Sequence, residues 1–434
     1  MKKQPYRRII NIILFFPINL AFSLLSLPRN TVNKLDSDYD VLIVGGGPAG
    51  LAAGIVLAEA GISTLLCERK KLPVDKFCGE GLMPTGVTYL QQLGVQKFLP
   101  THSFFSFKGI RYHSPRGVIA EVEFAEGPGL GIRRTALSQA LLQRAQELDF
   151  LDIAQETKIQ TIEYGKEGVI LRTKDRSFKT RLLIGADGHN SLVRHWAGLK
   201  GSPAPSKRWG AGLHLAMPPW SSFVEVHWGQ GIEAYVTPTS EEQVGIVFLW
   251  DRNSNLPIAK GNQRLSSLFQ FFPYLQQRLD GELTQLSYRM LGPLCRQVTS
   301  VTADGILLIG DAAGFLDALT GEGVSVALAE ALSLKESLIP SLRQQSRGII
   351  TKESLQAYET SYHQITQDYF RFAKRALILS QHPWLVEGVI RLFRRDPLLF
   401  QEMISSGMGR HHSLGEHIGQ VARLLKTFLP QPEN

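Results

Sequence analysis

A chain of 434 residues, 44% hydrophobic and 20% charged, is long enough to bury two joined cores, and this composition excludes a disordered or fibrous protein. Its three cysteines, Cys67, Cys78 and Cys295, have neither paired nor metal-ligand spacing, which excludes a disulfide framework or cysteine zinc centre and makes a reducing compartment the default. The formal net charge of +8 fits nucleic acid, an anionic membrane surface or a pocket for phosphorylated ligands; with no nucleic-acid-reading motif and basic residues crowded toward both ends, the membrane surface is favoured.

Residues 1–35 read as a separate segment. Lys2, Lys3, Arg7 and Arg8 precede an uncharged, largely apolar run over 9–27, which fits a membrane span, a secretory signal or an arm lying in the interface. No small-residue cleavage site precedes Asp36, and Asn11, Pro17 and Asn19 interrupt a spanning helix. Basic residues are denser before the run than after it, so a span would place the following domain outside the cytoplasm. The expectation is a membrane-associated arm at the cytoplasmic face, with a soluble cytoplasmic protein as the alternative.

Residues 40–68 organise the chain. An apolar run over 41–44 suits a strand buried on both faces and leads into Gly45, Gly47 and Gly50 in G-x-G-x-x-G order. The first glycine permits a sharp turn, the second lets a pyrophosphate approach the backbone, and the third lets the following helix pack on the strand. That helix aims free N–H groups at the phosphates, Gly61 stops it, and a second strand over 64–67 ends at Glu68, a carboxylate placed to accept ribose hydroxyls. The motif specifies a dinucleotide without choosing among NAD, NADP and FAD.

A turn-rich loop over 75–84 follows, with Cys78 and Glu80 as the residues that would face a substrate. Strands are expected over 104–124, and then a helix opening at Arg134, with Arg134 and Arg133 competing as the phosphate contact. Short runs at 158–164 and 169–173 precede Leu182-Leu183-Ile184 and the Gly185-Ala186-Asp187-Gly188 element. Residues 209–250 read as a β-rich sheet in which Trp228, Tyr235, Phe248 and Trp250 either line an apolar cavity or form plain core, and His227 reads as core. A buried strand then ends at Gly310-Asp311, and Gly321-Glu322-Gly323 opens a long helix whose amino end is a second anion site. From 358 onward the chain reads as helical, with an apolar stripe of Leu385, Val389, Leu392 and Phe393 beside Arg391, Arg394 and Arg395, a pattern that suits a membrane surface or core packing with a solvated basic face.

The first motif, Gly185-Ala186-Asp187-Gly188 and Gly310-Asp311, in that order, resemble the flavoproteins built like para-hydroxybenzoate hydroxylase, over nearly the whole chain after Asp36. GDAAGFLDALTGEG and the CGEGLMP loop are similar to the geranylgeranyl reductase branch, although Ala318 stands where that branch usually carries proline. The halogenase signature W-x-W-x-I-P is missing. The resemblance implies an α/β architecture: a Rossmann-type FAD-binding domain, a parallel sheet with helices on both faces, built from 36–103, 131–200 and 291–345. It would be interleaved with a β-rich substrate domain from 104–130 and 201–290, and followed by a helical region over 346–434.

The resemblance also implies FAD as cofactor, held by Gly45, Gly47, Pro48, Ala49, Gly50, Glu68 and Arg69 at the adenosine end, with Arg134 on the phosphates and Asp311, beside Gly310, on the ribityl chain. Asp187 would support the cofactor, and Gly321 and Gly323 would favour negative charge on the reduced flavin. The expected reaction is reduction of carbon-carbon double bonds in a lipophilic isoprenoid or quinone-like substrate, with Cys78 and Glu80 positioning substrate or supplying a proton. The reductant would be NADPH, NADH or an electron-donor protein, as no second dinucleotide fingerprint is present. Monooxygenation by reduced flavin and oxygen, and a flavin- or lipid-binding protein without turnover, are the alternatives. No metal site is expected.

Overall fold

The apolar run that opens the first motif becomes the strand Asp38–Val44, with Val41, Leu42 and Ile43 wholly buried as a two-faced central strand requires. In the computed structural model, which describes residues 38–76, 80–165, 167–202, 207–279 and 286–407, this strand pairs in parallel with Thr64–Cys67 on one side and Ser177–Gly185 on the other. Leu151–Ala154 and Ile306–Leu308 extend the parallel sheet outward, and the antiparallel pair Thr161–Gly165 and Gly168–Arg172 joins it through Ser177–Gly185. Helix Pro48–Glu59 packs against Arg134–Gln146 and Gly323–Ser337, and its residues 48–58 are all buried. The expected α/β class is the class observed. The amino-terminal arm expected over 1–35 and Cys78 lie outside the described residues.

A second, seven-stranded sheet runs in the order 289–291, 208–215, 243–251, 232–240, 223–228, 109–113, 119–123. All its joints are antiparallel except the one between Gly109–His113 and Phe223–Trp228. Alternation along each strand gives the sheet two different faces. Val236, Ile246, Phe248 and Trp250 pack with helices Arg264–Phe269 and Pro273–Arg278, whereas Ile110, Val224, Val226 and Leu249 face the other way. On that second face lie the carboxy-terminal helices Pro383–Arg395 and Pro397–Gly407, whose Phe393 and Phe400 rings stack at 4.6 Å.

Helix Gly323–Ser337 ties the two motif regions together through Glu330, whose buried carboxyl accepts the Gly310 N–H at 2.6 Å and is pushed up to about 8 by burial. The folded protein keeps a proton there that an unfolded glutamate, at 4.5, releases, so this residue's contribution to stability falls as pH rises from about 4.5 to about 8. Glu330→Gln keeps an acceptor for Gly310 and removes the ionisation. Thermal melts recorded from pH 5 to pH 9 should show a shallower loss of stability in the variant than in the parent, and parallel curves would refute this account.

Candidate active site

At the carboxyl end of the central strand the chain turns where glycine alone fits. Gly45 has φ +115°, and a Cβ there would meet the Ala186 carbonyl oxygen at 2.3 Å; a Cβ on Gly50 would lie 1.9 Å from the Gly45 carbonyl oxygen. Gly47 caps helix Pro48–Glu59 with open space beside it, so this backbone faces a cavity of about 520 Å³ lined also by Pro48 and Ala49. Glu68 lies on the same wall, and its carboxylate already works on the backbone, accepting the Gly46 N–H at 2.8 Å and the Lys70 N–H at 2.9 Å. Arg69 is exposed at the cavity rim.

The other two motifs reach the same cavity. Asp187 Oδ2 accepts the Leu192 and Val193 N–H groups at 2.6 and 3.2 Å, capping the short helix there, while its Oδ1 is buried without a partner. Gly310 adopts φ +63° and Gly321 φ +71°, and both line the cavity with Asp311 and Gly323, the first residue of helix Gly323–Ser337. Backbone carbonyls of this segment are held from outside: Tyr358, Tyr362 and Tyr369 donate to Leu308, Ala313 and Asp317 at 2.8, 2.9 and 3.1 Å, Tyr235 to Leu319 at 2.6 Å, and Arg194 to Asp311 and Ala312 at 3.1 and 3.0 Å. Burial pushes the neighbouring Glu322 carboxyl, on the cavity wall, up to about 8.

The two arginines at the start of helix Arg134–Gln146 have separate tasks. Arg133 is committed to protein partners, with Gln243 at 3.0 Å, Asp75 at 3.3 Å and Glu80 at 3.2 Å. Arg134 is 8% exposed, lines the cavity, and its guanidinium takes no hydrogen bond or ion pair among the described residues. A buried cation without a carboxylate partner needs an anion. With the open Gly47 backbone and two helix amino termini facing the same space, the residues present fit a dinucleotide pyrophosphate.

Glu80 is buried at the cavity wall, and its Oε2 lies 2.7 Å from His214 Nε2. His214 was not legible as a site residue: it is one polar side chain in the strand Arg208–Leu215, and its partner is 134 positions away. The sequence pattern likewise left Arg208 unmarked, although it pairs in the core with Glu233 at 2.5 Å and Asp317 at 2.9 Å. Of the four aromatics considered for the cavity, Tyr235 lines it, whereas Phe248 and Trp250 lie on the opposite face of the sheet because they have the other strand parity. Trp228 sits in the core beside Tyr112, in an edge-on contact at 5.7 Å. The remaining wall is apolar, formed by Ile110, Val224, Val226, Val247 and Leu249 with Phe372 and Ile404 from the carboxy-terminal helices.

Residues 38–373 match the family model described as FAD binding domain. The chain is 28% identical over 311 residues to digeranylgeranylglycerophospholipid reductase 2 of Methanopyrus kandleri, an alignment covering 67% of this chain and 74% of that protein. It is 27% identical over 321 residues to menaquinone reductase of Mycolicibacterium smegmatis, with 68% and 75% covered. Among solved structures, a flavoprotein/dehydrogenase from Cytophaga hutchinsonii superposes with TM-score 0.76 at 18% identity, covering 90% of this chain and 100% of that one. A probable FAD-dependent monooxygenase from Pseudomonas aeruginosa gives TM-score 0.67 at 18% identity, with 82% and 100% covered. These structures share the fold. The chain belongs to the FAD binding domain family and is an FAD-dependent oxidoreductase.

Proposed function

We propose that the protein reduces carbon-carbon double bonds of a lipophilic isoprenoid or quinone-type substrate. The observation that carries this reading is the division of the cavity into a polar glycine-lined wall and an apolar sheet-and-helix wall, with the Glu80–His214 pair between the loops and the sheet. The named activities of the two relatives, on a geranylgeranyl lipid and on menaquinone, support it. When bound, FAD supplies a hydride equivalent taken from an external donor, NADPH, NADH or a redox protein. Gly45, Gly47, Pro48, Ala49, Gly50, Glu68 and Arg69 would hold the adenosine end, Arg134 would neutralise the pyrophosphate and Asp311 would bind the ribityl chain, while Asp187 keeps its loop in shape. Gly321 and Gly323 present the positive end of helix Gly323–Ser337.

A double bond that receives a hydride also needs a proton, and we assign its delivery to Glu80 on the cavity wall. Arg133 fixes its orientation and His214 refills it. Cys78, in the same loop of the sequence, is assigned to substrate positioning.

The apolar substrate has to arrive from a bilayer. Among the described residues no helix is long and apolar enough to cross a membrane. Trp384 is 69% exposed at the start of helix Pro383–Arg395, whose far end carries exposed Arg394 and Arg395, and Ile378 is 59% exposed one short turn earlier. We assign this helix to an anionic membrane surface, where an indole ring and arginines are favoured together.

Three outcomes are expected. Arg134→Met should weaken FAD retention about 10- to 100-fold, the cost of one charged hydrogen-bonding group, measured as flavin released on dilution; unchanged retention would remove Arg134 from the phosphate site. The protein, reduced anaerobically, should be reoxidised by polyprenyl lipids or quinones with saturated product formed, and Glu80→Gln should slow this by about 10²- to 10⁴-fold at equal flavin content. No reoxidation across a broad panel, or hydroxylated product appearing once oxygen is admitted, would overturn the reductase reading. Trp384→Ala should reduce co-sedimentation with phosphatidylglycerol vesicles roughly tenfold, as loss of one buried aromatic predicts, and equal binding would overturn the membrane assignment.

A further inference from the structure

The face of the second sheet turned away from the flavin cavity carries a polar cluster that the reaction does not use. Strands Gly109–His113 and Phe223–Trp228 run in parallel with His113 opposite His227 and Arg111 opposite Glu225. Alternation sends Ile110, Tyr112, Val224 and Val226 into the cavity wall, and Arg111, His113, Glu225 and His227 to the other side. His113, Glu225 and His227 are 8%, 0% and 4% exposed, so their polar atoms must find partners away from bulk water. Among the described residues His113 Nε2 has no hydrogen-bond partner; it is buried, with Glu225 Oε2 at 3.7 Å. His227 Nε2 lies 3.1 Å from the same oxygen, and one ligand atom from each of the three residues falls within 4.8 Å of the others.

We propose that His113, Glu225 and His227 bind one divalent transition-metal cation of the zinc type. Two imidazole nitrogens and one carboxylate oxygen form a borderline donor set, unsuited to calcium or magnesium, which take oxygen ligands. Tetrahedral bonds of about 2.0–2.1 Å separate ligand atoms by roughly 3.3 Å, and the two observed separations from Glu225 Oε2 fall on either side of that value. An i, i+2 pair on one strand with a third ligand on the neighbouring strand puts all three side chains on one face.

The surroundings complete the case. Arg111 Nη1 donates to Glu225 Oε1 at 3.1 Å, leaving Oε2 for the ion, and the Trp220 indole N–H supports Oε2 at 3.1 Å. The charge of Arg111 is offset by Glu121 at 2.8 Å. The two imidazoles stack at 4.0 Å with 16° between planes, so a bound ion would require the rings to rotate. Tyr274 lies beside both rings at 5.5 and 5.8 Å and is itself 40% exposed, which leaves the solvent side for entry and for a fourth ligand, water. The ion would cross-link the only parallel joint of the sheet, between strands from distant parts of the chain.

The experiment uses the full-length, FAD-loaded protein, stripped with chelator, incubated with zinc sulfate and dialysed. About one equivalent of zinc should remain, with a raised melting temperature, whereas calcium and magnesium should change neither. His113→Phe keeps a ring in the stack and deletes the ligand nitrogen; it should retain less than about a tenth of the zinc and lose the thermal shift, at unchanged flavin content. His113→Ala serves if the larger ring prevents folding. Failure of the parent protein to retain zinc, equal retention by the His113 variants, or an equal response to calcium would each overturn the proposal. Because these residues lie off the cavity, the outcome is independent of the reductase reading.

Discussion

The segment from Leu308 to Gly323 has little regular structure of its own, yet it forms one wall of the cofactor cavity and must keep one shape. Its carbonyls face the interior, where unpaired acceptors are costly, and they are satisfied by side chains rather than by a sheet or helix. Tyr358, Tyr362 and Tyr369 project from one face of helix Gln356–Ser380 and donate to successive points along the segment. Arg194 and Tyr235 do the same from the first and second sheets' sides. Below them, Arg208 joins Asp317 of the segment to Glu233 of the second sheet, all three almost wholly buried. Burial raises both carboxyls against the pull of the guanidinium, so loss of Arg208 would strand two acids in the core. The cofactor wall therefore has its shape imposed by elements far from it in sequence.

The opposite wall follows from strand parity. Alternate residues in the middle of strands 109–113, 223–228, 232–240 and 243–251 line the cavity: Ile110 and Tyr112, Val224 and Val226, Tyr235 and Thr237, and Gly245, Val247 and Leu249. Where the same parity reaches strand 208–215 it carries Gly210, Gly212 and then His214, so space opens beside the glycines and the one polar side chain meets Glu80. This side of the cavity is therefore mostly apolar and meets the Glu80–His214 pair at its edge.

The sequence was most informative where residue type dictates backbone geometry. Gly45 and Gly50 occupy positions where any Cβ collides with backbone, so their spacing alone located the turn. Side-chain assignments between segments were less legible. Arg133 and Arg134 are adjacent at a helix start and equivalent on paper; only Asp75, Glu80 and Gln243, brought in from other segments, take one and leave the other facing the cavity. Tyr235 and Phe248 read alike as strand aromatics, because a strand's alternation shows that it has two faces without showing which one meets the ligand. The cluster of His113, Glu225 and His227 was equally hidden, since His227 taken alone reads as a core residue and its partner lies on a strand more than a hundred positions earlier.

The central strand Asp38–Val44 is the first described element of the chain and among the last to be completed. Its neighbour Ser177–Gly185 pairs Asp38 with Lys179, and helix Gly323–Ser337 closes over helix Pro48–Glu59 from still further along. Strand pairing at such separations has to await both the chain and the closure of a long loop. On a ribosome, the apolar run at 41–44 would therefore emerge with one side lacking its parallel partner until about 140 more residues had been made. A nascent chain arrested before that point exposes an unpaired hydrophobic strand edge, the kind of surface that invites pairing with another chain.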